Sequence, residues 1–296
     1  MVLLAHISDI HLGPLPAVRW REIANKRAFG YVNWRRNRAR IFDQSVLTAI
    51  TDDIRAAAPD HIAVTGDLVN LGLDAEYDAA LDWLKTLGDP QDVTVVPGNH
   101  DAYLYRSIAR YSATWLPYAN GDHPNPTMAF PFIRRRGPLA LIGLSTAIAT
   151  GPFMATGRMD EAQAEAFAAA LAETGREGLC RVVLIHHPPL HSLTTWPRRL
   201  IGASLVRAAI VRHGAELVLH GHNHRTTIVD IPGPNGPVPV VGAAAPSILP
   251  NPHHPGGAYN LIRIEGEPGG RYAIGMTERG FRAGAIATVS EKKLAA

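Results

Sequence analysis

The stretch Val93-Thr94-Val95-Val96-Pro97-Gly98-Asn99-His100-Asp101 decides how this chain is read. Four β-branched residues predict a strand, Pro97-Gly98 predicts a turn, and three side chains capable of chemistry follow at once. The same arrangement recurs along the chain. Apolar runs at 2–7, 61–65, 139–144, 181–185 and 216–219 are short and rich in Val, Ile and Leu. All but 139–144 end in further polar clusters: Ser8-Asp9, Gly66-Asp67, His186-His187 and His220-Gly221-His222. Runs of this length bounded by turn signals predict buried strands.

Helical spacing fills the gaps. Phe42, Val46, Ile50 and Ile54 lie four apart and predict one apolar stripe. Asp74 opens a second helix through Leu81 and Leu84 that stops at Gly88. Asp160 and Gln163 have capping-box spacing ahead of an Ala-rich helix ending near Gly175, and residues 201–213 form another, stopped by Gly214. Strand–helix alternation predicts a layered α/β domain. After residue 224, hairpin-like pairs (226–231 with 238–242, 259–264 with 271–277) predict a second, more antiparallel sheet. No linker intervenes, so residues 1–296 read as one domain with a hairpin-rich part at 225–280. Segment 103–138, rich in Pro and carrying Trp115, Tyr118, Phe130 and Phe132, reads as a long surface loop.

Composition narrows the class. Hydrophobic residues make up 46% and charged residues 19%, which excludes wholesale disorder. The single Cys180 excludes an intrachain disulfide framework and a cysteine metal cluster, and fits a reducing cytosol. The N-terminus lacks a basic region and its apolar run breaks at His6, so no signal peptide is expected. The charge-free stretches 137–157 and 231–252 are interrupted by Gly and Pro and do not read as membrane spans. The expected location is cytoplasmic, or peripheral to the inner membrane.

Net charge is only +3, but it is unevenly spread. Residues 15–40 hold eight basic side chains and one acid, a net +7, which leaves −4 for the rest. Trp20, Phe29, Tyr31 and Trp34 are interleaved with those arginines. Arg19, Arg27, Arg35 and Arg36 are therefore candidate substrate contacts, gripping an anionic nucleotide or diphosphate. The same insert would also suit docking on anionic lipid, and a plain solvated basic helix is the bland alternative.

Asp9, His11, Asp67, Asn99, His186, His222 and His224 all follow predicted strands. In an α/β sheet the carboxyl ends of strands converge where ligands bind. Seven oxygen and nitrogen donors exceed the needs of one tetrahedral zinc and suit two ions sharing a carboxylate. Each motif alone is weak; their common order and placement are not.

Taken in order, Asp9-Ile10-His11, Gly66-Asp67, Gly98-Asn99-His100-Asp101, His186 and Gly221-His222-Asn223-His224 resemble the signature of the calcineurin-like metallophosphoesterase superfamily, over residues 5–224. The resemblance implies a four-layer α-β-β-α sandwich of two mixed β-sheets flanked by helices. It implies two divalent ions (Mn, Fe or Zn) bridged by Asp67, with Asp9, His11 and His224 on one and Asn99, His186 and His222 on the other. His186 is preferred to His187 because it stands two residues before Pro188. The implied reaction is hydrolysis of a small anionic phosphoester by a metal-activated hydroxide, a phosphodiester such as a cyclic nucleotide first. His100 would protonate the leaving oxygen or bind the phosphoryl group, and Asp101 would orient His100 or a backbone amide. The rival readings are a pyrophosphate hydrolase acting on a UDP-diacylglucosamine-type lipid at the membrane surface, a nuclease, and a non-catalytic scaffold of the same fold. Nucleic acid is not the expected partner, and the sequence is silent on oligomeric state.

Some features look functional and are read as structural. Gly143-Leu144-Ser145-Thr146-Ala147 approximates a nucleophile elbow, but Thr150-Gly151-Pro152 follows where a helix is required. His187, His191 and His220 read as supports for neighbouring ligands, His253-His254 as a solvated loop and Trp83 as core.

Overall fold

Alternate side chains of each central strand go to different cores, and this generates the layers. In the computed structural model, which describes residues 1–295, β1 (Val2–Ile7) sends Val2 and Leu4 to one core and Ala5 and Ile7 to another. Strand β2 (His61–Val64) and strand β3 (Val93–Val95) run parallel beside it. Against its other edge lie β12 (Ala258–Glu265), β13 (Ala273–Arg282) and β14 (Ala285–Ala295), all antiparallel. The second sheet has the order β10-β11-β9-β7-β5-β4. Its strands are β4 (Phe132–Arg136), β5 (Leu139–Gly143), β7 (Cys180–Leu184), β9 (Leu217–His220), β10 (Thr227–Gly233) and β11 (Gly236–Gly242). A short parallel pair, β6 (Gly157–Arg158) with β8 (Leu200–Ile201), lies apart.

Leu4, Leu141, Val182, Leu184, Leu217 and Leu219 share the core between the sheets. The outer face of the first sheet packs Ile7 and Val64 against α3 (Gln44–Ala57), α4 (Asp74–Leu87) and α5 (Tyr105–Trp115). The second packs Ile142, Val183 and Val218 against α6 (Glu161–Arg176) and α7 (Ala203–His213). The result is the α-β-β-α sandwich. Central strands buried on both faces explain the unbroken apolar runs in the sequence. The insert adds α1 (Trp20–Ile23), α2 (Arg27–Arg36) and a 3-10 turn, Arg38–Arg40. No helix among the described residues is long and apolar enough to cross a membrane.

Three expectations need correction. The hairpins after residue 224 do not make a sheet of their own: β10–β11 extends the second sheet through β9, whereas β12–β14 extends the first through β1. The antiparallel part also runs beyond 280, to Ala295. Segment 103–138 holds α5 and β4, with Trp115, Tyr118 and Phe132 buried. Ser107, Tyr111 and Trp115 are four apart on the covered face of α5, a stripe masked by its polar members. Strand β4 was hidden by Arg134-Arg135-Arg136: Arg134 is buried, giving its hydrogens to carbonyls of Val93 and Pro117.

Capping is half as expected. The Asp160 carboxylate accepts from Gln163 N, but the Gln163 amide turns to Ser145, bonding both its N and O at 2.9 Å. That holds the end of β5 to α6, and Trp83 lies in the core as read.

Candidate active site

The polar clusters stand where parallel strands end, and the backbone there is strained. Eight non-glycine residues of the described chain have positive φ, and Asp9, His11, Asp67, His222 and His224 are five of them, at +44° to +72°. Each such residue costs on the order of 1–3 kcal/mol and persists only where its surroundings fix it. Here they do. Asp9 N bonds Gly66 O at 2.9 Å, His11 N bonds Asp67 O at 3.0 Å, and His222 N donates to Asp9 Oδ2 at 2.9 Å. Two motif glycines permit this closeness: a Cβ on Gly98 would strike the Asp67 carboxylate, and one on Gly221 would strike Ser8.

The seven predicted donors fall into two sets that meet at Asp67. On one side His11 Nε2 lies 3.2 Å from His224 Nε2 and 3.8 Å from Asp67 Oδ2, while His224 Nε2 is 3.3 Å from Asp9 Oδ1. On the other, His186 Nε2 lies 3.4 Å from the same Asp67 Oδ2 and 3.2 Å from Asn99 Oδ1, which is 2.9 Å from His222 Nδ1. Asp67 Oδ1 is held separately by His100 N at 2.7 Å, leaving Oδ2 between the sets.

Tautomers decide whether these donors suit cations. His11 Nδ1 gives its hydrogen to Val69 O at 3.2 Å and His186 Nδ1 to Thr65 O at 2.7 Å. His222 Nε2 gives its own to Arg198 O at 2.9 Å. The inward nitrogens of His11 and His222 therefore carry lone pairs, facing His224 Nε2 and the Asn99 amide oxygen, while that of His186 faces Asp67 Oδ2 and Asn99 Oδ1. Acceptors facing acceptors in a buried site fit positive ions and little else. The field agrees. Burial disfavours a charged Asp67, yet His186 and His100 outweigh it and hold the carboxyl well below the usual range. Burial likewise opposes a charged His186, yet Asp67 raises it to about 9, so a bound cation would take the place of the proton on its inward nitrogen. Burial keeps His11 and His222 far below the usual histidine value, in the neutral form that ligates.

His187 also lies within 4.8 Å of the His186–His222 pair. Its Nδ1 meets Thr146 Oγ1 at 2.7 Å and its Nε2 meets Ala155 O at 3.2 Å, so both nitrogens are engaged in support. His191 and His220 support too, bonding Leu200 O at 3.2 Å and Gly221 O at 2.9 Å. Ser145 sits at a strand end with no helix after it, as read.

Asp101 does not touch His100. Its carboxylate accepts from the N–H groups of Asp67, Leu68, Val69 and Gly98, at 2.8 to 3.2 Å. Burial and Asp67 push it up to about 7, and these donors oppose that shift. It is a positioning residue for the Asp67 loop, not a partner of His100. His100 instead donates from Nδ1 to Asn70 O at 2.6 Å, so its Nε2 accepts, from Arg38 Nη2 at 3.1 Å. Burial and Arg38 push His100 down to about 3. In this state His100 Nε2 is occupied as the acceptor that holds Arg38.

Sequence reasoning missed Arg38, one basic residue among eight in the insert. It is the half-buried one that reaches the site, and it has no carboxylate within 4.0 Å among the described residues. The four arginines nominated in its place behave otherwise. Arg27 is buried, donating from Nε to Leu71 O at 2.8 Å and from Nη2 to Gly72 O, so it seats the insert on the body. Arg19, Arg35 and Arg36 are exposed and line neither cavity beside the site. Those cavities, of about 410 and 820 Å³, share Arg38, Asn99 and His100. Arg198, Arg225 and the half-buried His254 border the larger one, so the His253-His254 loop is not wholly solvated.

Comparison with known proteins agrees with this geometry. Residues 2–226 match the family model described as calcineurin-like phosphoesterase. A glycerophosphodiester phosphodiesterase, GpdQ, from Enterobacter lignolyticus is 27% identical over 189 residues, 64% of this chain and 58% of its own length. The fold is similar to that of a dimetal phosphatase from Danio rerio, with TM-score 0.62, 13% identity, and 99% and 98% of the two chains covered. It is also similar to purple acid phosphatase PPD1 from yellow lupin seeds, with TM-score 0.63, 12% identity, and 99% and 53% covered. With its motifs at the strand ends and its family model spanning both sheets, the chain belongs to the calcineurin-like phosphoesterase family.

Proposed function

We propose that this protein hydrolyses phosphodiesters at a dinuclear metal centre. Asp9, His11 and His224 would hold one divalent ion, Asn99, His186 and His222 the other, and Asp67 both. The observation that carries this is the single oxygen, Asp67 Oδ2, lying 3.8 Å from His11 Nε2 and 3.4 Å from His186 Nε2. Bound there, the ions supply an activated water near neutral pH and neutralise phosphoryl charge. The net change is one P–O bond made to water oxygen, one broken to the leaving alcohol, and one proton passed from water to that alcohol.

The chain's own groups do the positioning. Asp101 fixes the loop that aims Asp67, His100 N pins the other Asp67 oxygen, and His100 Nε2 fixes Arg38. Arg38 then faces the phosphoryl oxygens with an unneutralised fork of N–H donors. Support for a diester comes from the two cavities that share Arg38 and His100, the larger over the metal-site residues and the smaller extending beyond them with room for an organic group. The phosphodiesterase named among the relatives points the same way. Mn, Fe and Zn all suit the donor set. The test is a panel of aryl phosphate diesters and monoesters with each metal in turn. The expected result is metal-dependent turnover with diesters ahead; a monoester preference would overturn the diester assignment.

A further inference from the structure

The smaller cavity is a cleft between the insert and residues 150–155, and its lining is unlike that of the metal side. Phe29 and Trp34 come from α2, Tyr103 from the loop after Asp101, and Phe153 and Met154 from the facing loop. The walls are tied together: Lys26 Nζ donates to Thr150 O at 2.6 Å and lies 4.5 Å over the Tyr103 ring. The approach of α2 to the body is built in, because a Cβ on Gly30 would run into Tyr103 and Leu71. At the mouth the Phe29 and Phe153 rings sit 5.4 Å apart yet stay 56% and 83% exposed, and Phe153 holds a positive φ of 63°. Large aromatic side chains kept in water on a strained loop indicate a surface meant to be covered. The inner end of the cleft is Arg38, Asn99 and His100, the edge of the metal centre.

We infer that this cleft is the seat of one ester group of the substrate, and that the group is a neutral planar aromatic. This rests on the phosphodiester reading. A group bonded to a phosphorus beside Arg38 borders the cleft, because the two spaces share that wall. Ring walls favour a ring, in offset or edge-on contact. They also suit quaternary ammonium groups, but the lining contains Lys26 and Arg38 and no carboxylate, so a cationic headgroup is repelled.

Calorimetric titration of the Mn²⁺-loaded protein tests this, with phenylphosphonate, methylphosphonate and phosphocholine as probes. Phenylphosphonate is expected to bind about tenfold tighter than methylphosphonate, and phosphocholine no tighter than methylphosphonate. In the Phe29→Ala/Phe153→Ala variant the phenyl preference falls below about threefold. Tyr105→Ala, altering an exposed aromatic outside the cleft, keeps the full preference. Equal binding of phenyl- and methylphosphonate by a protein that hydrolyses diesters overturns the aromatic seat alone. Tighter binding of phosphocholine overturns it in favour of a cation cage. No binding of any probe, with no diester turned over, overturns the parent reading as well.

Discussion

Two regions meet at Arg38 and are held in place by different means. At the strand ends, hydrogen bonds from the N–H groups of Asp9, His11, Asp67 and His222 hold four of the five left-handed residues, with Asp101 accepting four N–H groups around the Asp67 loop. The insert above them rests on a few long-range ties: Arg27 to the carbonyls of Leu71 and Gly72, Lys26 to Thr150, and the glycine contact at residue 30. The lower region is built to hold charge in a fixed geometry. The upper one is built to place a cation and a set of rings over it. On the proposed reading the chemistry lies in the first and substrate contact in the second, so damage to the two regions should differ in kind.

The largest effect belongs to the lower region. Asp67→Asn removes the shared carboxylate, and kcat for bis(p-nitrophenyl) phosphate should fall by about 10³-fold or more. Near-normal turnover would break the comparison outright. Next comes the insert residue that reaches down to His100. Arg38→Met should lower kcat/KM by about 10²-fold, with partial recovery in Arg38→Lys, which restores charge but not the fork. The Arg35→Ala/Arg36→Ala variant, altering two exposed neighbours, should stay within about twofold of wild type on soluble diesters. If that double variant loses as much as Arg38→Met, the insert acts through bulk charge rather than through one placed residue.

Smaller effects concern what holds each region. Arg27→Met leaves two buried carbonyls without donors and should cost about 2–3 kcal/mol by denaturant titration. An unchanged midpoint would show that the insert is not seated by that side chain. In the body, burial pushes His6 and His61 down to about 3. An unfolded chain takes up these protons below its ordinary value of about 6.5, while the folded one refuses them. Stability is therefore full above about pH 6.5 and declines as pH falls toward 3, by about 2 kcal/mol per histidine at pH 5. His61→Asn should flatten that slope; an unchanged slope would mean that other groups set it.

Much of the lower region was legible because its signals are local. Asn99 and His222 each directly follow a glycine, and His186 an apolar run, so the strand ends marked them as candidates, while preferring His186 to His187 took the family resemblance. The sandwich was legible for the same reason, since strands buried on both faces leave unbroken runs of Val, Ile and Leu. What failed depended on distant partners. Arg27 and Arg38 look alike in sequence, and only the carbonyls of Leu71 and Gly72 and the ring of His100 distinguish a fastener from a group that reaches the site. Arg134 disguised β4 because the carbonyls that satisfy it come from segments up to 44 residues away. For Asp101 the sequence leaves two readings, His100 or a backbone amide, and only the fold shows that its partners are backbone amides about 33 residues upstream as well as Gly98.

The most direct test of the dinuclear site is the metal count. Crystals soaked in Mn²⁺ should show two anomalous peaks, one on each side of Asp67 Oδ2, in wild-type protein. A single peak, or two that do not share Asp67, would contradict the account.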